Sequence, residues 1–187
     1  MSKSWTQSFS GRVITPGCLQ ADQVSFADIP HALAQKCRFS GQLRAFNYSV
    51  AQHCVIGAEQ IAAPFALAFL LHEVSEVYLP DVPTPIKQFL RMETESGLLL
   101  KWTELEDQHA RAIFTALGLM SLYPLIDSPE VHAMDLRMLM TEKRDLMGPE
   151  PRPWGIDAHP LHDKITTCWS PEKAEALFVE AFERLSR

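Results

Sequence analysis

The sequence predicts an all-α protein that folds as one domain. Apolar residues recur every three or four positions through most of the chain, and the strict alternation typical of half-buried strands is scarce. Helix-start signals of the form Ser-Pro-Glu occur at residues 128–130 and 170–172. A length of 187 residues with 47% hydrophobic residues suits one globular domain, because such a chain can bury a substantial core.

A short N-terminal arm is expected to precede the helices. Residues 1–27 are polar and contain turn residues such as Gly11 and Gly17, which indicate an irregular or weakly β segment. Residues 28–187 would then form the helical domain. Asp28 is expected to cap a first helix, which ends near Phe39 because a Ser-Gly pair follows it.

The second and third helices are predicted from a cap and from apolar content. Ser49 is a favourable N-cap with Gln52 as its capping-box partner, and apolar residues then follow at helical spacing. Pro64 opens a third helix that is almost entirely apolar through Leu71, which predicts a buried position. This helix is expected to end near Tyr78, because a run rich in proline follows it.

Three further helices are predicted in the second half of the chain. The fourth is expected from Met92 to Leu117, with a glycine at its C-terminal end. The fifth and the last begin after Ser128 and Ser170, each of which is an N-cap residue followed by proline. The proline-rich segment 149–160 between them is predicted to be a loop.

Charge and cysteine usage restrict the partners and the compartment. The net charge of −6 disfavours duplex nucleic acid as a partner, because such binders usually carry a basic excess. The four cysteines form no Cys-x-x-Cys pair, which suits a reducing compartment better than a disulfide framework. The first residues lack the apolar stretch of a secretory signal, and the longest apolar run is too short to span a bilayer. We therefore expect a cytoplasmic protein without a membrane segment.

Ionisable residues interrupt the apolar third helix and suggest a metal site. His72, Glu73 and Glu76 follow its apolar stretch, His53 belongs to the preceding helix, and Asp135 stands among apolar residues of the fifth. Buried helices normally exclude unpaired charges, because burying them costs several kcal/mol. Two imidazoles and two carboxylates brought together would form a mixed N/O site for a divalent transition metal. The alternative is that each histidine is satisfied in the core and that Asp135 lies on the surface.

Three segments together resemble a known family. They read Arg38-Phe-Ser-Gly, Tyr48-Ser-Val-Ala-Gln-His and Leu70-Leu-His-Glu-Val-Ser-Glu-Val-Tyr-Leu-Pro-Asp-Val-Pro-Thr-Pro-Ile-Lys. This pattern, which extends from about residue 28 to 147, resembles the HD-domain metal-dependent phosphohydrolases, and in particular the bacterial 5'-deoxynucleotidases. The one departure is Glu73, because the second histidine of the family is followed by Asp.

The resemblance implies a single HD-domain helical bundle with one divalent transition metal ion, which could be Co, Mn, Zn or Fe. It implies that the metal is held by four residues: His53, His72, Glu73 and Asp135. Glu76 would be the catalytic acid/base, and Asp81 would approach the sugar hydroxyl or assist proton transfer. A metal of this kind polarises a phosphate oxygen and activates a water.

The resemblance also implies a nucleotide substrate. Arg38 would bind the phosphate, Phe39 would stack on the base or sugar, and Lys87 would add positive charge at the phosphate. Hydrolysis of 5'-deoxynucleoside monophosphates by a cytoplasmic homo-oligomer is the first expectation. A nucleoside triphosphate hydrolase of the same fold, a catalytically attenuated nucleotide- or metal-binding protein and a purely structural helical protein stay open as alternatives. Trp154 and Trp169 are interpreted as covers of the core or of a subunit interface.

Overall fold

The computed structural model describes residues 4–44, 47–94 and 97–187. In these ranges the protein is mostly helical, with seven α-helices, short 3-10 segments and two small two-stranded sheets. The all-α prediction is therefore confirmed at the level of fold class. Within the described residues, no helix combines the length and the apolar character that crossing a membrane requires.

The N-terminal arm is weakly β, as predicted, and it contributes to the core. Strands β1 (Thr6–Gln7) and β2 (Val13–Ile14) pair antiparallel, with Thr6 opposite Ile14, and a 3-10 segment follows at Ala21–Gln23. Ile14 is fully buried in the same apolar core as the helices. The domain boundary at residue 28 stays a prediction.

Helix α1 (Asp28–Gln35) begins where expected but is shorter. Asp28 does not cap it: its carboxylate accepts hydrogen bonds from the Ser10 N–H at 2.7 Å and from the Tyr78 hydroxyl at 2.9 Å, which tie the arm to the helices. The predicted end near Phe39 is wrong, because the chain becomes extended after Gln35 and then forms a 3-10 segment at Arg38–Gly41.

Helix α2 (Val50–Gln60) is capped as predicted. The Ser49 hydroxyl accepts a hydrogen bond from the Gln52 N–H at 3.1 Å. The predicted capping box is wrong, however, because the Gln52 side chain bonds instead to the backbone of Thr167 and Trp169. It thereby fastens the segment before the last helix to α2.

Helix α3 (Ala63–Leu70) ends eight residues before the predicted end at Tyr78, and a 3-10 segment (Val74–Val77) follows. The His72 ring contacts the Phe69 carbonyl, which is the acceptor that a continuing α-helix would use. Three residues per turn then place Val74 and Val77 on one face, where both are buried. The side chains of residues 72–76 therefore do not continue the α-helical spacing of α3.

Two elements occupy the region predicted as the fourth helix. After the short α4 (Thr84–Lys87), strands β3 (Arg91–Glu93) and β4 (Leu99–Lys101) form an antiparallel hairpin, and α5 spans Trp102–Ala116. The predicted start at Met92 is wrong, since Met92 pairs with Leu100 across the hairpin. The glycine at the end of α5 is confirmed, because Gly118 has φ +69°.

The last two helices agree with the prediction. Helices α6 (Pro129–Leu146) and α7 (Pro171–Leu185) are capped by Ser128 and Ser170, whose hydroxyls accept hydrogen bonds from backbone N–H groups. The segment 149–160 is a loop. Helix α7 packs on α1, α2 and α3, and α6 packs on α2 and α3. The α2, α3 and α6 group positions the candidate site.

Candidate metal centre

The four predicted metal ligands come together in the structure. His53 lies in α2, His72 and Glu73 follow α3, and Asp135 lies in α6. One donor atom from each lies within 4.8 Å of the others. The side chain of His53 is fully buried, whereas that of Asp135 is 31% exposed, so the cluster opens toward the surface on its Asp135 side.

The spacing of the donor atoms suits a single transition metal ion. Nε2 of His53 lies 3.4 Å from Nε2 of His72 and 3.3 Å from Oδ1 of Asp135. Nε2 of His72 lies 3.7 Å from the same Asp135 oxygen and 3.7 Å from Oε1 of Glu73. Four tetrahedral ligands at zinc-like bond lengths stand about 3.3–3.6 Å apart. These four separations are close to this spacing.

Both imidazoles are oriented for ligation. Nδ1 of His53 lies 2.6 Å from a carboxylate oxygen of Glu142, and Nδ1 of His72 lies 2.6 Å from the Phe69 carbonyl oxygen. A carbonyl and an ionised carboxylate can only accept hydrogen bonds, so each Nδ1 must be the donor. Nε2 of each ring therefore faces the cluster and is the nitrogen that would bind a metal, as in metal-binding histidines. Burial lowers the pKa of His72, but hydrogen bonding to Asp135 and the charge of Glu73 raise it well above its usual range, so a metal would displace a proton from this ring.

Asp135 provides an independent sign that the cluster accepts a cation. Its Oδ1 is buried and has no hydrogen-bond partner among the described residues. Burial opposes its charge, but the adjacent His53 and His72 outweigh this effect and hold the pKa of Asp135 below its usual range. An ionised oxygen without a hydrogen bond is costly, and a bound cation would satisfy it.

A buried ionic network supports the cluster from behind. The fully buried Glu142 accepts hydrogen bonds from Tyr48 Oη at 2.9 Å and Arg38 Nε at 3.2 Å, in addition to His53. Burial alone would raise the pKa of Glu142, but Arg38 and His53 lower it. The sequence analysis missed Glu142. Its signal was its distance of seven residues from Asp135, which places both on one face of a helix.

Glu73 links the cluster to Arg38. Its Oε1 lies 3.0 Å from Nη1 of Arg38, and the same oxygen faces His72. Burial opposes the charge of Glu73, yet His72 and Arg38 lower its pKa. Arg38 therefore contacts two carboxylates, one on Glu73 and one on Glu142. Its predicted contact with a phosphate stays a prediction.

Two further acidic residues lie beside the cluster. Glu76 is almost completely buried, and burial together with the nearby charges of Glu73 and Asp81 raises its pKa well above the usual range. Burial also raises the pKa of Asp81, which Arg38 counteracts. A raised pKa favours the protonated carboxyl, which is the form that can donate a proton. The role of Glu76 as acid/base stays a prediction.

Two lysines border this acidic region. Nζ of Lys87, a predicted phosphate neighbour, pairs with Glu106 at 2.8 Å. Burial lowers the pKa of Lys87, but Glu106 and the charges of Glu73 and Glu76 raise it above its usual value. Lys36, which the sequence analysis did not single out, donates hydrogen bonds to two backbone carbonyls of the segment after α3. Burial lowers the pKa of Lys36 to about 8.

Comparisons with known proteins give one relative that matches nearly the whole chain and one that matches most of it, but no activity. No family model matches the chain. Over 187 residues the chain is 33% identical to "Uncharacterized protein YfdR" of Escherichia coli strain K12, and the alignment covers 98% of this chain and 96% of that protein. Over 156 residues it is 27% identical to an uncharacterized protein of Rhodobacter capsulatus, and this alignment covers 79% of this chain and 76% of that protein.

Proposed function

The chain belongs to the same family as the Escherichia coli protein YfdR, and we propose that it is a divalent-metal-dependent phosphohydrolase acting on nucleotides. The cluster of His53, His72, Glu73 and Asp135 carries the proposal, because its donor atoms are spaced and oriented for one ion. The resemblance of residues 28–147 to the HD-domain phosphohydrolases supports the reaction class. It also favours 5'-deoxynucleoside monophosphates as the substrates.

The metal would be bound by two imidazole nitrogens and two carboxylate oxygens. This donor set suits Zn, Mn, Co or Fe rather than Ca or Mg, which prefer all-oxygen sites. When bound, the ion supplies Lewis acidity toward a phosphate oxygen and toward a water. The chain itself prepares the site, since Glu142 and the Phe69 carbonyl orient the two imidazoles before any ligand arrives.

Glu76 would handle the proton of the reaction. Burial and the neighbouring carboxylates raise the pKa of Glu76, which favours its protonated form, and this form can donate a proton to the leaving oxygen. The charge of Asp81 also raises the pKa of Glu76 and would help to favour its protonated form. Arg38 and Lys87 would oppose the charge that accumulates on the phosphate.

The test measures metal content and hydrolysis on the same preparation. Purified protein is analysed for metal, stripped, and reloaded with Mn, Co, Zn or Fe, and phosphate release is then measured on nucleoside mono- and triphosphates. We expect release from deoxynucleoside monophosphates that is lost in Asp135→Asn and retained in Asp127→Asn, a matched change on the surface. Absence of hydrolysis with every metal and nucleotide would overturn the proposal. Preferential cleavage of triphosphates would favour the related triphosphate hydrolase.

One observation favours a second candidate, a nucleotide- or metal-binding protein with weak catalysis. Arg38 is neutralised by Glu73 and Glu142, which reduces its attraction for a phosphate. Replacing Glu73 by the shorter Asp should withdraw one of these carboxylates from Arg38. Strong hydrolysis by Glu73→Asp together with a nearly silent parent would indicate the attenuated protein. Equal hydrolysis by both would exclude it.

A further inference from the structure

Phe39 is held in an unusual backbone conformation beside the metal centre. Phe39 and Ser40 have φ values of +56° and +50°, which residues other than glycine rarely adopt. Such conformations cost energy, and they persist where the surrounding structure enforces them, often at ligand sites. Here the conformation brings the half-buried Phe39 ring against Trp154, a residue of the loop that follows α6.

The two rings are in loose contact. Their centroids lie 6.4 Å apart and their planes are inclined by 51°. Aromatic pairs in proteins are separated by about 4.5–7 Å, so this pair is near the wide end of the range. Trp154 is followed by Gly155 with φ +69°, a turn that sets the direction of the loop at this point. A flat ring that stacks on both would require Trp154 to turn away from its present tilt toward Phe39.

Trp154 differs from Trp169, although the sequence analysis treated both as covers of the core or of an interface. Trp169 packs against the apolar core, whereas Trp154 is not among the residues in that contact. Its partners are instead Phe39 and the ammonium group of Lys143, which lies 5.0 Å from the ring centroid. Core packing therefore does not explain its position.

One cationic group lies beside each ring of the aromatic pair. The Arg38 guanidinium carbon lies 5.6 Å from the Phe39 centroid, and Lys143 lies over Trp154. Both distances are within the range of cation–π contacts. Arg38 also bonds to the metal-ligand candidate Glu73, so one side chain separates the rings from the cluster. Both cations have carboxylate partners, since Lys143 also pairs with Glu150. The feature that would recognise a ligand is therefore the pair of aromatic rings, which suits a flat ring.

We infer that Trp154 and Phe39 form a clamp that stacks on the base of a nucleotide whose phosphate lies at the metal centre. Trp154 is thus a substrate-binding residue that makes the site select nucleotides over sugar phosphates. The position of the phosphate rests on the proposed function. The clamp itself rests on the ring geometry and is tested by binding alone.

The experiment follows binding by calorimetry on protein loaded with Zn. Deoxyadenosine 5'-monophosphate is compared with 2-deoxyribose 5-phosphate, which lacks the base. We expect Trp154→Ala to weaken nucleotide binding by about tenfold or more, since stacking on an aromatic side chain contributes this much per base. It should leave binding of the sugar phosphate unchanged. Trp154→Phe should restore most of the affinity, and Trp5→Ala, at an exposed tryptophan of the arm, should have no effect.

The outcomes separate the clamp from the reaction. Equal affinity of the parent for both ligands, absence of nucleotide binding, or unchanged affinity in Trp154→Ala would each overturn the clamp. Hydrolysis by the parent protein with an unchanged KM in Trp154→Ala would refute the clamp and would still support the proposed function. Base-dependent binding that Trp154→Ala abolishes, without hydrolysis by any form, would support the clamp and remove the proposed function.

Discussion

Replacing Glu142 by Gln should weaken metal binding although Glu142 is not a ligand. The carboxylate accepts hydrogen bonds from His53, Tyr48 and Arg38, and its side chain is fully buried. Glutamine has the same size but offers one acceptor oxygen and a donor group. Its amide would face Arg38 Nε or His53 Nδ1, both of which are donors. At least one of these groups then loses its partner.

The expected effect has two parts. Partners behind a metal-bound histidine are worth about 10–100-fold in metal affinity, because they set the tautomer and orientation of the ring. Removing one side of a buried ion pair destabilises a protein by roughly 3–5 kcal/mol. Glu142 satisfies Arg38 only in part, since Glu73 is a second partner, so the lower value applies. For a chain of this length about 3 kcal/mol lowers the Tm by about 6–12 °C.

The assay is competition with a fluorescent zinc chelator, together with thermal unfolding of the stripped protein. Glu175→Gln is the matched control, because Glu175 also pairs with a histidine ring, at 3.0 Å, but at the surface. That change should cost no more than about 1 kcal/mol and should leave zinc affinity unchanged. If Glu142→Gln kept the zinc affinity of the parent while remaining folded, the interpretation of Glu142 as the partner that orients His53 would be refuted.

Three other changes test the fold and the site. Gly57→Ala should destabilise the protein by about 1–3 kcal/mol in chemical denaturation, because the added Cβ would lie 2.0 Å from the buried Phe69 ring. His109, whose Nε2 lies 2.6 Å from the Pro16 carbonyl, has a pKa lowered by burial. The folded protein therefore keeps it neutral, and stability is complete above the unfolded pKa of about 6.5 and declines as pH falls below it. The Tm of His109→Gln should fall less than that of the parent between about pH 7.5 and pH 5.5. Finally, zinc at about 100 times its Kd should add about 2.7 kcal/mol of stability, which EDTA removes and which Asp135→Asn should largely lack.

Three serine caps were predicted correctly because their causes lie within a few residues, whereas the Asp28 cap and the Gln52 capping box were wrong because both side chains bind groups distant in the chain. Ser49, Ser128 and Ser170 each cap a helix through a hydrogen bond to a nearby N–H group. The helix boundaries that were predicted wrongly depend on distant contacts or on competing local structure. The expected continuation of α3 is interrupted where the His72 ring contacts the Phe69 carbonyl, and no helical pattern reports such a bond.

The candidate site shows the same division. The four ligand candidates could be predicted, because they are ionisable residues in apolar surroundings and the motifs relate them to a known family. The seven-residue spacing of Glu142 from Asp135 was too weak a signal by itself, because surface residues of a helix share it and the burial of Glu142 becomes visible only when α6 packs on α2. Trp154 was assigned to packing, since nothing local indicates that Phe39 adopts a positive φ and turns toward it.

The longer side chain of Glu73 allows it to remain a metal-ligand candidate although the resembled phosphohydrolases have Asp at this position. One oxygen of Glu73 lies 3.0 Å from Arg38 and 3.7 Å from His72 Nε2, so pairing with Arg38 does not withdraw it from the cluster. A carboxylate oxygen has lone pairs for both partners. Arg38 then orients Glu73 as Glu142 orients His53, and two of the four ligand candidates are positioned by one connected buried network. Loss of Arg38 should therefore reduce metal affinity as well as phosphate binding, which a purely phosphate-binding arginine would not do.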